Sequence, residues 1–151
     1  MAGQVEEGLA LVTAALKQIA KTGEHLSEAE LYRLKGNLLV QKFQVLGSKF
    51  QVDNPQSAFS DPQWEAEACF LKAITTARKQ QAKSLELRAV MSLVRLRQQQ
   101  VTQSAARDTQ HETHHRLLEA YRTLSDLYNW FTEGFETADL KEAKVLLSTF
   151  Q

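Results

Sequence analysis

The sequence is poor in the residues that mark most specialised protein classes. A single cysteine, Cys69, stands among 151 residues. It excludes an internal disulfide framework and suits a reducing cytosol, so a cytoplasmic protein is expected. Two prolines and six glycines are too few for a turn-rich all-β fold. No charge of one sign prevails: Lys and Arg number 18, Asp and Glu 18, and the formal net charge is zero. General nucleic-acid binders and anionic-membrane binders carry a basic surplus, so neither partner is expected. No apolar run approaches the roughly 20 residues of a membrane span. The N-terminus, MAGQVEE, has no basic region followed by an apolar stretch, so no signal peptide is expected. There is no G-x-x-x-x-G-K-[ST] loop and no glycine-rich dinucleotide loop, and no cofactor is expected.

What remains is ordinary globular composition, 43% hydrophobic and 24% charged. The length suits one domain, residues 1–151, able to bury roughly 70% of its unfolded surface. Hydrophobic residues recur at helical spacing throughout, and no segment alternates with period two. Val5 to Lys21 reads as a helix with Leu9, Val12, Leu16 and Ile19 on one face, stopped by Gly23 behind Lys17 and Lys21. Ser27 and Glu30 form a capping box before a second helix, which runs to about Leu46. Residues 47–61, GSKFQVDNPQSAFSD, have no helical period and read as a loop insertion. Asp61-Pro62 opens a third helix, with proline at its first position, ending near Ala82.

Ser84 caps a fourth helix. Leu85, Leu87, Val90, Leu93, Val94 and Leu96 make it apolar on more than one face, which places it between two neighbours. Gln98 to Gln110 turns polar and reads as a loop. A fifth helix carries Leu117, Tyr121, Leu124 and Leu127. The run YNWFTEGF, residues 128–135, reads as an aromatic corner. Thr137 caps a last short helix with Leu140, Ala143, Leu147 and Phe150 on one face. The expected fold is all-α, about six helices in antiparallel hairpins.

Three helices share a triplet of a small residue, a larger one four positions on, and alanine three further: Gly8-Val12-Ala15, Ala66-Phe70-Ala73 and Thr113-Leu117-Ala120. Each triplet spans about 60° of helix and marks one packing face. Gly36 needs a packing reason, because glycine inside a helix costs about 1 kcal/mol against alanine. A close crossing with the following helix supplies it.

Tyr32, Gly36 and Leu39, followed by Ala66, Phe70 and Ala73, resemble the first and second helices of a tetratricopeptide repeat. The usual period is about 34 residues. The triplets here lie farther apart, which requires inserted loop around residues 44–62 and 98–110. The strings AELYRLKGNLL, EAEACFLKAI, ARKQQAKSLELRA and NWFTEGFETADLKEAK resemble the C-terminal helical-repeat tail of large bacterial signalling proteins, common in cyanobacteria. These combine an AAA-type ATPase with a nucleotide cyclase or protein kinase. The loop wording SKFQVDNPQSAF is of the same kind. The resemblance implies a non-catalytic interaction or scaffolding module. Its partner would be a protein, a peptide or other domains of a parent chain.

In such repeats the first-type helices line a concave groove. The groove candidates are Arg33, Asn37, Val40 and Gln41 on the second helix, and Lys83, Glu86, Val90 and Leu93 on the fourth. Arg33 and Asn37, one turn apart, can grip a peptide carboxylate. Arg78-Lys79 and Arg95 with Arg97 read as solvated or snorkelling cations. Cys69 reads as a buried small hydrophobe.

Two other readings stand beside the module. Trp130, Phe131 and Phe135 could cap a second copy, giving a homo-oligomer. His111-Glu112-Thr113-His114-His115 matches H-E-x-x-H, in which two histidines hold zinc and the glutamate activates water. A catalytic zinc needs a third protein ligand, and Glu133 or Glu136 are the available candidates. His111 and His115 lie about 160° from Thr113 around the helix, so they are expected to face solvent.

Overall fold

The computed structural model describes residues 2–47, 62–103 and 107–150. They form six helices and no strand: α1 (Ala2–Thr22), α2 (Glu28–Gly47), α3 (Pro62–Lys79), α4 (Lys83–Gln103), α5 (Arg107–Trp130) and α6 (Ala138–Ser148). The expected loop at 47–61 begins one residue early: Gly47 closes α2, and the rest lies outside the described residues.

The helix stops follow local chemistry. Gly23 ends α1 with φ +73°, and its N–H bonds the Ile19 carbonyl. That left-handed cap is open to glycine at no steric cost. The α3–α4 turn uses the same geometry without glycine. Gln81 has φ +54°, its N–H reaches the Arg78 carbonyl, and the Ala82 N–H reaches Ala77. Pro62 stands at the first position of α3.

Two caps differ from expectation. Glu30 does not turn back toward Ser27; both its oxygens accept from Arg33, at 2.9 and 2.5 Å. Thr137 caps α6 through its backbone, while its hydroxyl donates to the Gly134 carbonyl.

Each helix runs antiparallel to the one before. Glu6 meets Lys42, Lys35 meets Glu65, Glu86 meets Arg78, and Glu67 meets Arg97. Helix α4 also lies beside α2 and α6, touching both. Gly36 is the tightest joint. A Cβ there would lie 2.5 Å from Cε1 of Phe70, which is 1% exposed at the heart of the core. The glycine lets α3 drive that ring against the α2 backbone. The expected close crossing is present.

Three expectations are corrected. The polar stretch 98–110 is mostly helix: α4 continues to Gln103 and α5 starts at Arg107. Its amides find partners on neighbouring helices. Gln98 donates to the Tyr121 hydroxyl, Gln103 accepts from Gln63, and Gln100 donates to Glu67. Arg97 is not a solvated cation. It is 8% exposed, and it donates to Glu67 and to the Arg116 carbonyl. The aromatic corner also starts later, since Tyr128 to Trp130 still belong to α5.

Candidate functional site

Helix α4 carries two opposed stripes. At about 100° per residue, Arg88 and Arg95 fall together, and Glu86, Val90, Leu93 and Arg97 fall about half a turn away. The first stripe faces α2 and α6. Arg88 donates to Asp139 at 2.8 Å and lies 4.0 Å from Glu30, while Arg95 donates to Glu142 at 2.9 Å. The second stripe faces the space between α3 and α5.

These stripes divide the predicted groove set. Arg33 and Asn37 are half-buried on the α2–α4–α6 face, and Gln41 on the same helix is exposed. Arg33 is held by Glu30, whose hydrogen bonds push the guanidinium pKa above its ordinary value. Val40 packs against the core. Lys83, Glu86, Val90 and Leu93 lie on the opposite stripe. Val90 and Leu93 are buried, at 0% and 4% exposure. Glu86 accepts from Arg78 at 2.6 Å and from Lys83 at 3.1 Å. They therefore do not share a surface with Arg33 and Asn37. Both choices on α4 follow helical spacing; only the salt bridges to α2 and α6 identify the stripe that faces them.

The face missed in the sequence is legible in retrospect. Arg88 and Arg95 are seven apart on α4, and Asp139 and Glu142 three apart on α6, so each pair shares one side of its helix. With Glu30 and Arg33 they form a band of alternating charge across three helices.

A cavity of about 410 Å³ opens between α3 and α5 with α4 as its floor. Leu71 and Ile74 stand on one wall, Ala120 and Thr123 on the other, and Val90 and Leu93 below. A buried carboxylate marks each end of the stripe. Glu67, 2% exposed, accepts from Arg97, Arg116 and Gln100. Glu86 holds the other end with Arg78 and Lys83. Another cavity, about 490 Å³, lies where the N-terminal end of α4 meets the α5–α6 corner.

The H-E-x-x-H residues are placed as expected for a solvated face. His111, Glu112, His114 and His115 are all exposed. His115 lies 3.9 Å from Glu119, and the His114 ring meets the Gln110 carbonyl. Glu133 and Glu136 follow the far end of α5, about 30 Å along its axis from His111. Among the described residues no three His, Cys, Asp or Glu side chains gather into a metal-binding group. Cys69 is buried, and desolvation pushes its thiol pKa up. At neutral pH it stays a thiol.

The aromatic corner is half on the surface. Trp130 and Phe135 are 58% and 42% exposed, whereas Phe131 packs against the core. Among the described residues, no helix is long and apolar enough to cross a membrane. The chain matches no family model, no curated protein and no solved structure.

Proposed function

We propose that the chain is a non-catalytic protein-interaction module of tetratricopeptide-like construction, acting through the face shared by α2, α4 and α6. One observation carries this reading. Helix α4 lies against both α2 and α6, so these three helices present a single continuous surface whose charges span them. A surface built from several helices can read an extended partner over several positions, as helical-repeat arrays do. Leu34, 38% exposed, and the exposed Gln41 give it apolar and amide contacts beside the charged band. The similarity of AELYRLKGNLL, EAEACFLKAI and NWFTEGFETADLKEAK to the helical tails of bacterial signalling ATPases and cyclases supports a regulatory or scaffolding role in such a system, within the cytoplasm.

Site-specific photocrosslinking tests this. A photoreactive residue at Leu34 or Gln41 is expected to capture a discrete protein in cells, while the same residue at Lys17 on the outer side of α1 captures none. Equal capture at all three positions removes the reading. Hydrolytic activity lost with Glu112→Gln would replace it with the enzyme.

A second reading rests on Trp130 and Phe135, two exposed aromatics of the α5–α6 corner. If they join two copies, sedimentation will show a dimer that Trp130→Ser dissolves.

A further inference from the structure

Three of the chain's four histidines, His111, His114 and His115, stand together on α5, and all three are exposed. The face shared by α2, α4 and α6 makes no use of them. At about 100° per residue, His111 and His115 lie about 40° apart around the helix and about 6 Å apart along it. Residues at this spacing have Cβ atoms about 5–6 Å apart. Two imidazoles rising from them can converge on one ion, each nitrogen about 2.0–2.1 Å from it.

The surroundings favour a cation. Glu112 and Glu119, both exposed, lie within about 60° of His115 around the helix. Arg116, next in the chain, is turned away: it donates to Glu67 and lies over Trp64, both on α3. His111 is four residues inside α5, which starts at Arg107. The positive end of the helix dipole acts over the first turn and fades beyond it.

The ring nitrogens separate the three histidines. Nδ1 of His115 lies 3.9 Å from Oε1 of Glu119. A metal-bound histidine commonly gives its other ring N–H to a carboxylate, which orients the ring. Glu119 is placed for that role, and Nε2 of His115 is left for the ion. His114 is committed elsewhere. The Gln110 carbonyl can only accept, so Nδ1 of His114, 2.9 Å away, carries the hydrogen and the ring is held over the preceding turn.

We propose that His111 and His115 chelate one divalent late-transition-metal ion, copper(II) before zinc(II), on the open side of α5, with water completing its coordination. Imidazole suits these ions, and affinity along the divalent series peaks at copper. Two protein ligands are too few for a catalytic zinc, which needs three. The ion instead clamps successive turns of a helix end that little else holds: of residues 110–115, only Thr113 is even half-buried. The site lies on α5, away from the α2–α4–α6 face, and either can fail without the other.

The test titrates copper(II) chloride into the full chain. One equivalent is expected to bind at least about tenfold more tightly than to His111→Ala or His115→Ala, because either variant leaves a single imidazole where a chelate was. Both side chains face solvent, so both variants should fold. His114→Ala should change the affinity less than about twofold. Electron paramagnetic resonance of the copper-loaded protein should show two nitrogen ligands, and one in either single variant. Acidification should weaken binding, since each imidazole must be free of its proton to ligate. Zinc(II) chloride should raise the melting temperature of the parent protein and not of His111→Ala, because the unfolded chain does not hold the two rings one turn apart.

Affinity that survives His111→Ala and His115→Ala, or falls equally with His114→Ala, would mean an adventitious ion only and would overturn the proposal. So would an equal rise in melting temperature for the parent protein and His111→Ala.

Discussion

Helices α1 and α4 are both 21 residues long, and their compositions mislead about their places. α1 is rich in leucine and alanine, yet Val5 is its one buried side chain among those described. α4 contains Lys83, Arg88, Arg95 and Arg97 and a tail of glutamines, yet ten of its residues are buried, Glu86 and Arg97 among them. The difference is the number of neighbours. α1 packs chiefly on α2, whereas α4 is surrounded by α2, α3, α5 and α6. A central helix can bury charge because each neighbour brings a partner for it. Among the described residues no buried side-chain nitrogen or oxygen lacks a hydrogen bond.

The contrast breaks most severely at Glu67 and Phe70, the residues through which α3 holds α4 and α2. Glu67→Ala leaves Arg97 buried without its carboxylate, and losing one partner of a buried pair costs about 3–5 kcal/mol. Phe70→Ala empties the space against Gly36 at about 3–5 kcal/mol. Urea denaturation should show both losses. Cys69, buried beside Phe70 in sequence, should be alkylated much faster in either variant, because alkylation requires opening. An unchanged midpoint for both would mean that α4 is not held from α3.

Gly36→Ala comes next. The added methyl would lie 2.5 Å from the Phe70 ring, a distance that forces the ring or the helix to move. Overpacking of this kind costs about 1–3 kcal/mol. Gly36→Leu should cost more. Gly3→Ala is the control within α1, because nothing lies within 4 Å of a Cβ at Gly3. It should gain rather than lose stability, by up to about 1 kcal/mol. Thermal melts of the two alanine variants therefore move in opposite directions.

The sequence made some of this legible. Helical periodicity located all six helices, Gly23 and Pro62 marked a stop and a start, and Gly36 announced the crossing with α3. The apolar surround of α4 announced its two-sided packing. These are local signals, carried within one turn or one heptad. What escaped depends on partners far along the chain. Gln98, Gln100 and Gln103 read as loop because their helix is justified only by Tyr121, Glu67 and Gln63. Arg97 read as a surface cation because Glu67 lies 30 positions away. The face of α4 was ambiguous for the same reason. Its two stripes obey the same spacing, and only Asp139 and Glu142 on α6 show that Arg88 and Arg95 face that side.

A smaller effect is expected at the α3–α4 turn. Gln81 holds a left-handed backbone, φ +54°, which costs an L-residue about 1 kcal/mol or more relative to glycine. Gln81→Gly should therefore stabilise by up to about 1 kcal/mol, offset in part by the greater freedom of the unfolded chain. A rise in melting temperature of a few degrees or less checks it; a fall would mean that the side chain of Gln81 contributes more than its backbone strain removes.

The smallest effect, and the sharpest for the comparison, is expected at Leu11. It is 66% exposed near the middle of the more apolar helix. A leucine at the matching depth of α4, Leu93, is 4% exposed. Leu→Ala at a buried site costs about 2–5 kcal/mol, whereas a surface substitution stays within about 0.5 kcal/mol. Leu11→Ala also keeps helix propensity nearly level, since alanine and leucine both rank high. The two substitutions are chemically the same, so their difference isolates the neighbours. Leu93→Ala should lower the urea midpoint clearly, and Leu11→Ala should leave it where it was. If Leu11→Ala destabilises by 1 kcal/mol or more, a threshold twice the usual surface limit, then α1 is covered in solution and has a partner. Sedimentation of the same variant then separates the cases. A dimer lost with Leu11→Ala places a second copy on α1, and an unchanged monomer places the missing contact within the chain itself.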